Sequence, residues 1–87
     1  MADEKLEDLR GRIDELDLQI LDLLNKRMNL SVSIGRLKAA ENQGAIDLIR
    51  EKEILRRLEA HNSGPMPQET LKAIYREIFS GSRALQS

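Results

Sequence analysis

Leu6, Leu9, Ile13, Leu16, Ile20 and Leu23 follow one another at alternating steps of three and four residues, and after position 27 the rhythm resumes at Leu30, Ile34 and Leu37. That spacing is a heptad seam, the pattern of a long helix that lays one apolar stripe along a partner. No proline interrupts it, and acidic residues crowd its first turn, where the helix dipole favours them. Asp3 or Asp8 is a candidate cap for its start. The pattern predicts one helix over about residues 3–40, which at ~1.5 Å per residue is over ~50 Å long.

Glu41-Asn42-Gln43-Gly44 reads as a loop punctuated by its glycine. A second helix is predicted over about residues 46–62, with Leu48, Leu55 and Leu58 on one face. Ser63-Gly64-Pro65-Met66-Pro67 stops it, and Pro67 suits the first turn of a third helix over about residues 67–86. That helix carries Leu71, Ile74, Tyr75, Ile78, Phe79 and Leu85. The fold class is all-α: one long helix and two shorter ones in a single domain spanning residues 1–87. The second helix is ~25 Å long by the same rise, so it is expected to cover only about half of the first. The uncovered half of the seam would be an apolar stripe of the kind that marks an interface. A small chain also gains stability by association, so a homodimer with its long helices entwined or side by side is expected.

Composition narrows the function. Hydrophobic residues make up 40% and charged residues 33% of the 87 positions, a globular profile. One Tyr and one Phe leave no platform for stacking bases, and a net charge of −1 supplies no bulk field for a polyanion, so nucleic acid is not an expected partner. There is no cysteine and one histidine, His61, which removes thiol chemistry and any histidine-based metal site within one chain. No stretch approaches the ~20 apolar residues of a membrane span, and the start lacks a signal-peptide core. A cytoplasmic setting, with no membrane partner, is the default expectation.

Against that background a few residues break the pattern. Arg27 occupies a seam position. Either its aliphatic stem packs while the guanidinium reaches water, or it meets a buried anion. Lys38 lies three full turns further on and points to nearly the same side, ~16 Å away along the axis. The two together could grip a small dianion, although a cation near a helix C-terminus is favourable in any case. Asp47, Arg50 and Glu51 share a face at i, i+3 and i+4, which is either an ordinary solvated ion-pair face or a group returned by the loop to Lys38 and Arg27. Ser82 stands where an apolar residue is expected, with Gln86 one turn later on nearly the same face. Ser80-Gly81-Ser82 is a poor helix sequence, so fraying or close packing competes with a hydrogen-bonding role there. Arg10 lies 17 residues before Arg27, ~25 Å along the helix. It is either a plain surface charge or, in an antiparallel dimer, a visitor to the partner's site.

In order along the chain, these elements resemble the all-helical class of chorismate mutase, free-standing or as a domain of a bifunctional enzyme. Leu9-Arg10-Gly11-Arg12-Ile13-Asp14-Glu15-Leu16-Asp17 looks like that family's opening motif, which Arg27 closes. Ile34-Gly35-Arg36-Leu37-Lys38 resembles its glycine–lysine element, Asp47 to Glu51 its Asp-x-x-Arg-Glu element, and Ser82 to Gln86 its terminal Ser-x-x-x-Gln. The resemblance covers essentially the whole chain. It implies an entwined three-helix dimer with two active sites. Each would take Arg27, Lys38, Asp47, Arg50, Glu51, Ser82 and Gln86 from one chain and Arg10 from the other.

The implied reaction is the intramolecular [3,3] rearrangement of chorismate to prephenate, on the route to phenylalanine and tyrosine. It needs no nucleophile, metal or cofactor, and none is expected. Holding the compact reactive conformer and stabilising the charge that develops on the ether oxygen suffice. By resemblance, Arg10 of the partner, Arg27 and Arg50 bind the carboxylates, and Ser82 helps hold the ring carboxylate. Lys38 and Gln86 donate to the ether oxygen, and Glu51, with Asp47 nearby, accepts from the ring hydroxyl. Two rivals stand beside this reading: an isochorismate pyruvate lyase on the same scaffold, and a helical dimerisation or regulatory module without activity. Relatives are often fused to prephenate dehydratase or dehydrogenase. No added regulatory segment is visible, so no allosteric site for amino acids is expected within these residues.

Overall fold

The computed structural model describes residues 2–86, with side chains described from Lys5 onward. Three helices account for nearly all of it: α1 (Ala2–Ala40), α2 (Leu48–His61) and α3 (Gln68–Gln86). α1 begins ahead of both cap candidates. Asp8 lies well inside the helix, and the side chain of Asp3 is outside the described set. At its other end Asn42 adopts a positive φ of 58°, a left-handed turn that asparagine tolerates, and the amides of Glu41 and Gln43 close onto the Lys38 carbonyl. α2 starts two residues later than the sequence pattern suggests. Asp47 caps it by accepting from the Arg50 amide at 3.0 Å, which leaves Ile46 in the loop. The molecule is elongated, 61 × 24 × 16 Å, because α1 runs far beyond the other two helices.

The packing order differs from the one expected. α3, not α2, lies against α1, and α2 packs on α3, with no direct packing between α1 and α2 among the described residues. The core sits along α3, where Leu71, Ile78 and Phe79 are buried. The face that α1 turns to α3 is also not the heptad seam. It consists of Leu24, Met28, Ser31, Val32 and Gly35, at steps of three and four, all buried or half-buried. The seam residues Leu23, Leu30 and Leu37 remain 63%, 65% and 66% exposed, and the N-terminal half from Leu6 to Ile20 is exposed throughout. The expectation that α2 covers half the seam therefore fails, since no described part of the same chain covers it. At about 100° per residue the two faces of α1 are roughly a third of a turn apart, with Arg27 and Lys38 on the ridge between them.

Gly35 explains how α3 comes so close to α1. A β-carbon there would lie 2.7 Å from the Cα of Gln86 and 3.1 Å from its carbonyl oxygen, so the last turn of α3 rests on bare backbone. Gly81 faces the flexible end of Met28, and the helix continues unbroken through Ser80-Gly81-Ser82.

Two glycines of α1 make opposite predictions. Gly11→Ala has open space around its β-carbon and should gain about 0.5–1 kcal/mol in urea unfolding through helix propensity alone. Gly35→Ala gains the same propensity but must displace the Gln86 backbone, and is expected to lose about 1–3 kcal/mol net in the same measurement.

Candidate active site

Because α1 and α2 do not pack on each other, a gap remains between them, floored by α3. It forms a cavity of about 380 Å³. α1 supplies Arg27, Ser31 and Lys38 with the apolar Leu30 and Ile34. The loop and α2 supply Asp47, Arg50, Glu51 and Ile54, and α3 supplies Phe79, Ser82, Arg83 and Gln86. Four cations against two carboxylates leave an excess of two positive charges on this wall, in a chain whose net charge is −1.

The two long cations of α1 are held by α3. The Arg27 guanidinium donates to Ser82 Oγ at 2.9 Å and lies 5.8 Å from the ring centroids of both Tyr75 and Phe79. Those two rings meet edge-on at 5.7 Å, so the chain's single aromatic pair forms the bed of one arginine. Ser31 Oγ also donates to Ser82 Oγ, at 3.0 Å, and the Ser82 hydroxyl lies 3.8 Å from the Met28 sulfur. Ser31 and Ser82 are 3% and 6% exposed, so both serine hydroxyls are buried at the floor of the cavity. One turn further on, Lys38 Nζ donates to Gln86 Oε1 at 3.1 Å. With its oxygen held in that way, the Gln86 amide keeps its NH₂ as the group available to a ligand.

On the opposite wall, Asp47 is engaged as the α2 cap. The Arg50 guanidinium lies along the helix surface near Glu53 at 3.7 Å. Glu51 is gripped from α3: Arg83 Nε donates to Oε2 at 2.9 Å, and Arg83 Nη2 donates to Oε1. Of the residues singled out in the sequence, Arg27, Lys38, Asp47, Arg50, Glu51, Ser82 and Gln86 come together around this one cavity. Arg10 does not. It is exposed on α1, far along the helix. Sequence reasoning missed Ser31 and Arg83. Ser31 interrupts no apolar pattern. Arg83 reads as a cation in a last turn, a position that is favourable anyway. Among the described residues no group of His, Asp and Glu is assembled that could hold a metal ion.

The profile of the family described as chorismate mutase type II matches residues 9–87. The chain belongs to the type II chorismate mutase family. It is 40% identical over 87 residues to a bifunctional chorismate mutase/prephenate dehydratase of Aquifex aeolicus (strain VF5), covering 95% of this chain and 24% of that one. It is 39% identical over 85 residues to the protein of the same description from Neisseria gonorrhoeae, covering 97% and 23%. This chorismate mutase-type chain thus spans about a quarter of the length of those relatives. A solved chorismate mutase from Thermus thermophilus, form II, superposes with a TM-score of 0.91 at 38% identity, covering 94% of this chain and 93% of that one. Form I of the same enzyme gives 0.86 at 38% identity, covering 90% and 98%.

The buried serine pair yields a stability prediction. Ser82→Ala deprives both Arg27 and Ser31 of their acceptor and leaves a buried hydroxyl unpaired. The expected loss is about 1–3 kcal/mol in urea unfolding, with a smaller loss when Ser31→Ala is added, because the stranded hydroxyl is then gone.

Proposed function

We propose that this chain rearranges chorismate to prephenate, in a cavity completed by a second copy of itself. The observation that carries the reading is the convergence of the family's motif residues from all three helices on one gap with two positive charges in excess, a match for a substrate that is a dicarboxylate. The cations are pre-positioned by the protein rather than by the ligand, so little reorganisation remains when substrate binds. Arg27 takes one carboxylate, its guanidinium already fixed by Ser82, Tyr75 and Phe79. Lys38 and the Gln86 NH₂ converge on the ether oxygen, where negative charge grows as the C–O bond breaks. Glu51 accepts from the ring hydroxyl, with Asp47 ordering the start of its helix, and Arg50 assists at a carboxylate. Ser82 acts first as the anchor of Arg27. Its hydroxyl rotates freely about the Cβ–Oγ bond and keeps one proton to donate to the ring carboxylate.

The dimer is supported by the seam. Leu6, Leu9, Ile13, Leu16, Ile20 and Leu23 form a continuous exposed stripe on α1, and Leu30, Ile34 and Leu37 extend it to the mouth of the cavity. So large an apolar surface marks an association site. A second copy laid antiparallel along it brings its Arg10 toward the cavity that lacks it, about 25 Å being the offset that antiparallel packing must span.

The direct test follows loss of chorismate absorbance with prephenate detection, beside gel filtration. A dimer that forms prephenate is expected. Pyruvate release from isochorismate with no prephenate from chorismate would instead identify a lyase, and an inactive monomer would overturn both statements. Arg27→Leu should abolish turnover and keep the dimer. No turnover in the parent, with Arg27→Leu folded and as stable or more stable, would favour a non-catalytic helical module, where an apolar residue in the seam is welcome. Because an amide donates without titrating, saturated turnover should be flat around neutral pH. A steep loss there would remove Gln86 from the ether oxygen.

Arg10 has its own test. Mixing and refolding two inactive variants, Arg10→Ala and Arg27→Ala, should restore roughly a quarter of the sites, because one site of each mixed dimer then carries neither change. No recovery, with mixed dimers demonstrated, would place Arg10 outside the partner's site.

A further inference from the structure

We propose that Arg83 is a positioning residue for the reaction: it acts through Glu51, fixing the carboxylate that takes the substrate's ring hydroxyl. The proposal rests on the chorismate reading given above and deepens it, since no motif of the family resemblance specifies the residue at position 83.

The geometry is a two-point clamp. Nε and Nη2 of Arg83 address the two different oxygens of Glu51, Nε at 2.9 Å, so the carboxylate plane is set by the guanidinium plane. Each carboxylate oxygen has a second lone pair, so Glu51 keeps acceptor capacity toward the cavity while clamped. The Glu51 side chain is only 18% exposed, whereas Arg83 at 36% still meets solvent, so the carboxylate is the better shielded half of the pair. Both line the cavity.

The placement of Arg83 also ties Glu51 to the rest of the site. α1 and α2 are not closely packed on each other, and each is tied to α3. Adjacent residues of α3 diverge: Ser82 bonds to Arg27 and Ser31 of α1, while Arg83 bonds to Glu51 of α2. The clamp therefore joins the acceptor on one wall to the helix turn that anchors the carboxylate-binding arginine on the other. A lysine cannot reproduce this, because an ammonium is a point charge and cannot define a plane.

The test is a double-mutant cycle on the full chain with Arg83→Met, Glu51→Gln and the pair, read as kcat/KM for chorismate. A parallel set uses the chorismate analogue that lacks the ring hydroxyl. Arg83→Met is expected to lower kcat/KM for chorismate about tenfold, the scale of one well-placed hydrogen bond. It should add little in the Glu51→Gln background and leave the analogue nearly unaffected. Arg83→Lys should recover only part of the loss, and it replaces Arg83→Met in the cycle if the latter does not fold.

Equal losses for Arg83→Met with and without Glu51, or equal losses on both substrates, would overturn the proposal and make Arg83 a direct substrate contact or a structural pair. Full activity in Glu51→Gln would overturn it too, since Arg83 would have nothing to act through. These outcomes presuppose an active parent. A parent chain that turns over neither substrate fails the chorismate reading itself, so the two failures are distinguishable.

Discussion

The hydroxyl of Ser82 receives the Arg27 guanidinium and the Ser31 hydroxyl at the line where α3 meets α1, and much of the structure hangs on that junction. A guanidinium half-buried against apolar neighbours is costly unless its polar atoms are matched. Here its polar edge meets a serine, while its positive charge lies near the aromatic faces of Tyr75 and Phe79. The same contacts that satisfy the charge also fix its direction, toward the gap between α1 and α2. Stability and preorganisation are in this way served by one set of atoms.

The three helices divide the labour unequally. α3 is the spacer: it packs on both neighbours, and its last turn carries the ties to each of them. α1 offers one face to α3 and another to the surroundings, with Arg27 and Lys38 on the ridge between. α2 completes the gap without packing closely on α1. Bare backbone at Gly35 lets the Gln86 end of α3 settle directly on α1, which brings Lys38 and Gln86 within hydrogen-bonding distance. A cavity held open by a third element, rather than scooped from a core, suits a rearrangement that needs shape and fixed dipoles more than chemical participants.

Much of this was legible in the sequence. The unbroken three-and-four spacing fixes α1 because a helix is the one element that places those residues on one side. The Gly-Pro-rich break separates α2 from α3 for equally local reasons. The polar interruptions at Arg27, Ser82 and Gln86, and the ordered cationic and acidic elements, identified residues that do gather around one cavity. What misled was the identity of the buried face. Leu23, Leu30 and Leu37 read as core, yet the chain's own packing uses Met28, Ser31, Val32 and Gly35. A heptad seam records that a face is to be covered, not by which chain.

The sequence by itself determined the helices, their breaks and the residue types at the site, because these depend on periodicity, backbone restriction and side-chain chemistry close along the chain. Tertiary structure alone decided that α3 and not α2 lies against α1, that Ser82 anchors Arg27, and that Arg83 clamps Glu51 across 32 positions. Those contacts turn on the relative rotation and depth of packed helices. Small features set them, such as a missing β-carbon at Gly35 or a serine among apolar neighbours, whose meaning appears only when the partner surface is in place.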